Sequence, residues 1–166
     1  MNQNTSGTAE SLTNAALLGE IVWLFTQSPL HKLLPIKDLE WLVMPPLLLK
    51  QFKLFHDDAG KPIGVALWAY LSETAEETLI STGRIEADQW AVNMQASTSG
   101  VVGEQQGNAW LIELVSPFHS EANQHRDSML SDLINTRFKS ASLNVRHINP
   151  ETKTVETVVL NPSSAH

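Results

Sequence analysis

Two side chains in this sequence, His31 and Glu113, have the types and surroundings to do acid–base chemistry together. His31 stands in Thr26-Gln-Ser-Pro-Leu-His-Lys-Leu-Leu-Pro35, where an apolar helical pattern breaks at a proline. Imidazole is the side-chain type that exchanges a proton near neutrality, and a proline corner would hold it on a rigid support. A histidine at a helix end also serves as a plain cap, so the position alone leaves both readings open. Glu113 lies inside the apolar run Trp110-Leu-Ile-Glu-Leu-Val115. A carboxylate in such a strand either faces solvent or is buried and then needs a partner. Period-two alternation puts Glu113 on one face with Leu111 and Val115, which leans towards the partnered reading. A buried carboxylate would orient an imidazole and raise its basicity, but nothing in the linear sequence brings the two together.

Other candidates carry less. His119, Glu121 and His125 follow Pro117, yet the two histidines are not spaced as in the helical HExxH arrangement, so a solvated helix start is expected and no metal site. His56 at a turn and His147 in an outer hairpin are given no role. The glycine-rich stretch over residues 93–108 has neither a following Lys-Ser/Thr nor a preceding strand, so it does not read as a phosphate loop. The sequence holds no cysteine, which removes disulfides, thiolate catalysis and cysteine-bound zinc. Its five tryptophans are spread evenly, as core anchors would be.

These residues need elements to hold them. At 166 residues, 42% hydrophobic and 17% charged, the chain suits one domain with a real core. A formal net charge of -7 argues against nucleic acid or an anionic membrane as main partner. No secretory signal or membrane span is read, and a cytoplasmic protein is expected. Residues 1–10 are expected to be disordered, and an amphipathic helix to run from about Ser11 to Gln27 or Ser28, where Pro29 stops it. Lys37 to Val43 has helical spacing again, Met44-Pro45-Pro46 breaks it, and Leu47 to Lys50 reads as one more turn. Gln51–His56 and Ile63–Leu71, around Asp57-Asp-Ala-Gly60, predict a β-hairpin. Ser72 caps a helix, Glu86–Trp90 is a short helical piece, and Trp110–Ser116 is a strand. Ser120 to Lys139 predicts the second major helix, and residues 142–148 with 154–160 a last hairpin before a frayed tail, 161–166. The expected fold is therefore α+β, a single domain over 11–160, with a mixed, mostly antiparallel sheet flanked by helices.

Taken in order, the blocks Leu18-Gly-Glu-Ile-Val-Trp-Leu24, Ser28-Pro-Leu-His31, Pro45, Pro62-Ile-Gly-Val-Ala-Leu-Trp-Ala69, Asp88-Gln-Trp90 and Trp110-Leu-Ile-Glu-Leu-Val-Ser-Pro-Phe118 form a series. It resembles the toxin-activating lysine acyltransferases that mature RTX (repeats-in-toxin) cytolysins. The resemblance implies an acetyltransferase (GNAT)-like fold and a cytoplasmic, commonly homodimeric enzyme. It implies no tightly bound cofactor: an acyl-acyl-carrier protein would be the donor substrate, and internal lysines of an RTX protoxin the acceptors. By position His31 matches the catalytic histidine, and Glu113 falls where an aspartate is usual, in a block written Ile-Asp-Trp-Ile-Ala-Pro-Phe. A lysine amine is mostly protonated at neutral pH, so a base must take its proton before it can attack a thioester. Direct transfer and an acyl-histidine intermediate both remain open. Lys32, Lys37, Lys50 and Lys53 are candidates for docking an acidic carrier. Two departures from the pattern are the glutamate at 113 and Ala141-Ser-Leu-Asn-Val145, which lacks two usual arginines or displaces them towards Arg146. They motivate an alternative, a catalytically weak adaptor that binds toxin or carrier. A coenzyme A-dependent acetyltransferase is disfavoured by the missing pyrophosphate loop.

Overall fold

Strand β2 (Pro62–Leu71) organises the molecule because it is apolar on both faces. Val65, Leu67, Ala69 and Leu71 join one buried cluster, while Ala66, Trp68 and Tyr70 join another. A strand of this kind needs cover on both sides. The computed structural model describes residues 5–90 and 107–162, with side chains from residue 13. Among them, one face is covered by helices α1 (Thr5–Gln27), α2 (Leu39–Leu42), α3 (Met44–Leu49) and α4 (Glu73–Thr82), through residues such as Ile21, Phe25, Leu42, Leu47 and Leu79. The other is covered by α5 (His125–Thr136), through Met129 and Leu133, and by Phe138.

β2 pairs antiparallel with β1 (Phe52–His56) and with β3 (Asn108–Val115). β3 then runs parallel to β4 (Leu143–Ile148), which forms a hairpin with β5 (Val155–Leu160). The result is a five-stranded mixed sheet in the order β1-β2-β3-β4-β5, so the expected α+β architecture holds. No helix among the described residues is long and apolar enough to cross a membrane.

Three boundaries differ from those expected. Helix α1 begins at Thr5 and not near Ser11, because no proline interrupts residues 5–10 and an established helix elongates readily. Met44-Pro45-Pro46 opens α3 instead of ending a helix, the prolines taking first-turn positions where an N–H is not needed. Helix α5 starts at His125 and not at Ser120. There Asn123 Oδ1 accepts from the N–H groups of Ser120 and His125, and this local turn competes with helix. Most of the loop expected over 93–108, and the end of the expected tail, lie outside the described residues.

Two irregularities of β3 shape the surroundings of Glu113. Opposite Leu67 stands Glu113 and opposite Trp68 stands Leu111, so Ile112 is an extra, bulged residue. Pairing of β3 with β4 is limited to Trp110↔Asn144 and Leu111↔Val145. Beyond Leu111 the two parallel strands have no common ladder, and a cleft lined by both opens there.

Candidate active site

His31 is placed by a chain reversal at the end of α1. Pro29 has no N–H to continue the helix, and the chain closes into a turn: the Ser28 carbonyl accepts from the N–H groups of His31 (3.1 Å) and Lys32 (2.9 Å), and the His31 carbonyl from Leu34 N–H (2.9 Å). Inside this turn the imidazole packs against Phe25, with ring centroids 5.1 Å apart. Its side chain is only 11% exposed.

Glu113 reaches the same spot through the bulge. Strict alternation would put Leu111, Glu113 and Val115 on one face. In the structure Leu111 packs in the cluster under α5, whereas Val115 and Leu67, the cross-strand partner of Glu113, pack in the cluster under α1. The extra residue Ile112 shifts the phase of the strand and turns Glu113 to the α1 side, a common use of bulges beside functional sites. Glu113 Oε1 lies 3.1 Å from His31 Nε2, with the glutamate side chain 30% exposed. The carboxylate is therefore partnered, one of the two readings the apolar run left open, and the reason lies in the bulge and not in plain alternation.

The second ring nitrogen is engaged too. Ser28 Oγ lies 2.7 Å from His31 Nδ1, and Ser28 is a buried polar residue. The protons follow from the chemistry of the acceptors. An ionised carboxylate only accepts, so Nε2 carries the hydrogen facing Glu113; in a neutral ring Nδ1 is then the acceptor, and the Ser28 hydroxyl donates to it. Ser28, His31 and Glu113 form a hydroxyl–imidazole–carboxylate relay with Nδ1 as its basic nitrogen, the order of roles found in serine-type triads. Sequence reasoning assigns Ser28 no role. Its signal is the serine three residues before the histidine with a proline between, a spacing at which closing the turn brings Oγ onto the ring.

The relay opens onto a cleft of about 580 Å3, walled by residues 28–31, 111–117, Leu79, Gly83, Arg126, Val145 and Arg146. Other sequence candidates lie elsewhere. His119 Nδ1 accepts from the Arg126 N–H at 3.1 Å and so helps to tie down the start of α5. His56 pairs with Glu20 of α1 at 2.9 Å. Lys53 pairs with Asp132 of α5, on the sheet face opposite His31, so it does not share a surface with Lys32. No group of three histidine, aspartate or glutamate side chains converges among the described residues.

Comparison with known proteins adds to this geometry. Residues 10–161 match the model of the RTX toxin acyltransferase family. The RTX-I toxin-activating lysine-acyltransferase of Actinobacillus pleuropneumoniae is 30% identical over 69% of this chain and 59% of its own length. A lysine-acyltransferase of Vibrio cholerae is 33% identical over 48% of this chain and 52% of its own. A protein-lysine myristoyltransferase of Escherichia coli is 29% identical over 61% of this chain and 51% of its own. The chain thus spans less than two thirds of the length of these relatives.

Proposed function

The chain belongs to the RTX toxin acyltransferase family, and from this we propose that it transfers a fatty acyl group from an acyl-acyl-carrier protein to lysine ε-amines of an RTX protoxin. The observation that carries the reading is the contact of His31 with Glu113 on the wall of a cleft large enough for a reactive thioester and an amine. The parallel step from β3 to β4, with its ladder ending early, supports an acetyltransferase-like layout.

In this mechanism the lysine ammonium gives up a proton to His31, and Glu113 stabilises the resulting imidazolium and holds the ring. The proton reaches Nδ1 by way of Ser28 Oγ, which accepts it as its own hydrogen passes to the ring. The free amine attacks the thioester carbonyl, the nitrogen of the tetrahedral intermediate releases its second proton to solvent, and collapse with loss of the thiolate leaves a new C–N bond in place of the C–S bond. The proton held by the imidazolium returns to the departing sulfur, leaving an amide and a thiol. Both imidazole nitrogens are already engaged, which favours direct transfer over an acyl-histidine intermediate.

Incubation with myristoyl-acyl-carrier protein and an RTX protoxin should give protoxin lysines heavier by one acyl group, read by peptide mass spectrometry. Tight binding of the protoxin with no acyl transfer would replace this reading with an adaptor role, and transfer from acyl-coenzyme A alone would overturn the donor. Ser28→Ala is expected to lower the transfer rate by about tenfold, less than the roughly 10²- to 10⁴-fold of a general base itself, because His31 remains to take the proton. Rates equal to the parent at all donor concentrations would remove Ser28 from the proton path.

A further inference from the structure

Resting on the acyl-carrier reading, we propose that Arg146, together with Arg126, forms an anion subsite in the cleft that takes the phosphate ester of the donor's pantetheine arm. The sequence has four arginines. Arg84 pairs with Asp38 and lies over the Trp41 ring, and Arg137 lies over the rings of Trp68, Tyr70 and Phe138. The other two both line the cleft that holds His31 and Glu113.

Neither Arg126 nor Arg146 forms an ion pair among the described residues. Each is held through a main-chain carbonyl: Arg146 Nε donates to Ile80 O at 3.1 Å, and Arg126 Nη1 to Leu114 O at 3.5 Å. A guanidinium fixed in this way through Nε keeps its Nη1–Nη2 edge for a ligand, and that planar fork matches phosphate oxygens. Gly83 leaves the space the fork occupies, since a Cβ there would come within 3.2 Å of Arg146 Nη1.

Charge points the same way. The lining holds two guanidiniums and one carboxylate, Glu113, which is bound to His31. The cleft is thus locally positive in a chain of formal net charge -7, an arrangement that focuses an anion into the site. No lysine lines the cleft among the described residues, so the selectivity is for a group that a fork can grip. The phosphate-bearing pantetheine arm is common to carrier proteins and coenzyme A, and the test separates them.

Binding of 4′-phosphopantetheine and of pantetheine, which lacks the phosphate, is measured by calorimetry on the whole chain. The parent protein should bind the phosphorylated probe at least about tenfold tighter. Arg146→Gln should abolish most of that preference, Arg126→Gln should reduce it, and Arg146→Lys should keep part of it, with circular dichroism confirming that each variant folds. Undetectable binding of the phosphorylated probe, equal binding of the two probes, or a preference unchanged in Arg146→Gln overturns the subsite. None of these readouts needs acyl transfer, so failure of the subsite is distinct from failure of the acyltransferase reading. In a second arm, holo-acyl-carrier protein that binds more weakly to Arg146→Gln assigns the arm to the carrier. Weakened binding of coenzyme A alone overturns that assignment.

Discussion

Replacing His31 by alanine is expected to slow acyl transfer by roughly 10²- to 10⁴-fold, the usual contribution of a positioned general base. The variant removes the acceptor of the Ser28 hydroxyl and the partner of Glu113 in one step. Stability should change much less than activity, because Glu113 is 30% exposed and can turn to water once its partner is gone. Single-turnover transfer from a saturating donor, read beside a thermal melt, separates the two effects. A folded His31→Ala protein within a few fold of the parent would mean that the imidazole is not the base.

The second large effect concerns Glu113. Glu113→Gln keeps the length of the side chain and removes its charge, so under the proposed mechanism the imidazolium would lose its stabilising partner, and a fall of about 10²-fold is expected. Glu113→Asp is the more informative change, because aspartate is the residue usual at this point in the pattern that the sequence resembles. Here the backbone at 113 is fixed by its pairing with Leu67 and by the bulge at Ile112. Shortening the side chain draws the carboxylate back by about an ångström from an Nε2 now at 3.1 Å, and a misplacement of that size is worth up to about 10²-fold in a preorganised site. The aspartate variant is therefore expected to be at least about tenfold slower than the parent. Full activity in Glu113→Asp would show that the corner carrying His31 follows the shorter acid, and full activity in Glu113→Gln would show that charge at 113 is dispensable.

The elements that depend on local chemistry were legible in the sequence. Turn residues around Gly60 marked the β1–β2 hairpin, Pro29 the end of α1, and Ser72 the start of α4, where its Oγ accepts from Ala75 N–H. Features set by competition between neighbours were not. The turn at Ser120–Asn123 displaced the start of α5, and a proline pair that usually breaks a helix began one. The site divides in the same way. Residue type and position picked out His31 and Glu113, but their approach depends on a bulge that period-two counting cannot see. Ser28 was in view and unused, because its role exists only once the turn has closed over the ring.

The distance along the chain between the two halves of the relay also sets when it can exist. Ser28 and His31 lie in the turn that ends α1, whereas Glu113 arrives on β3, after the β1–β2 hairpin and α4 have been laid down. Contacts so far apart in sequence form late and close a costly loop. A partly folded chain, with α1 and the hairpin in place but β3 undocked, would hold the histidine without its carboxylate. Docking of β3 is thus also the step that brings the carboxylate to the imidazole, and the His31–Glu113 contact reports that the central strand has gone in.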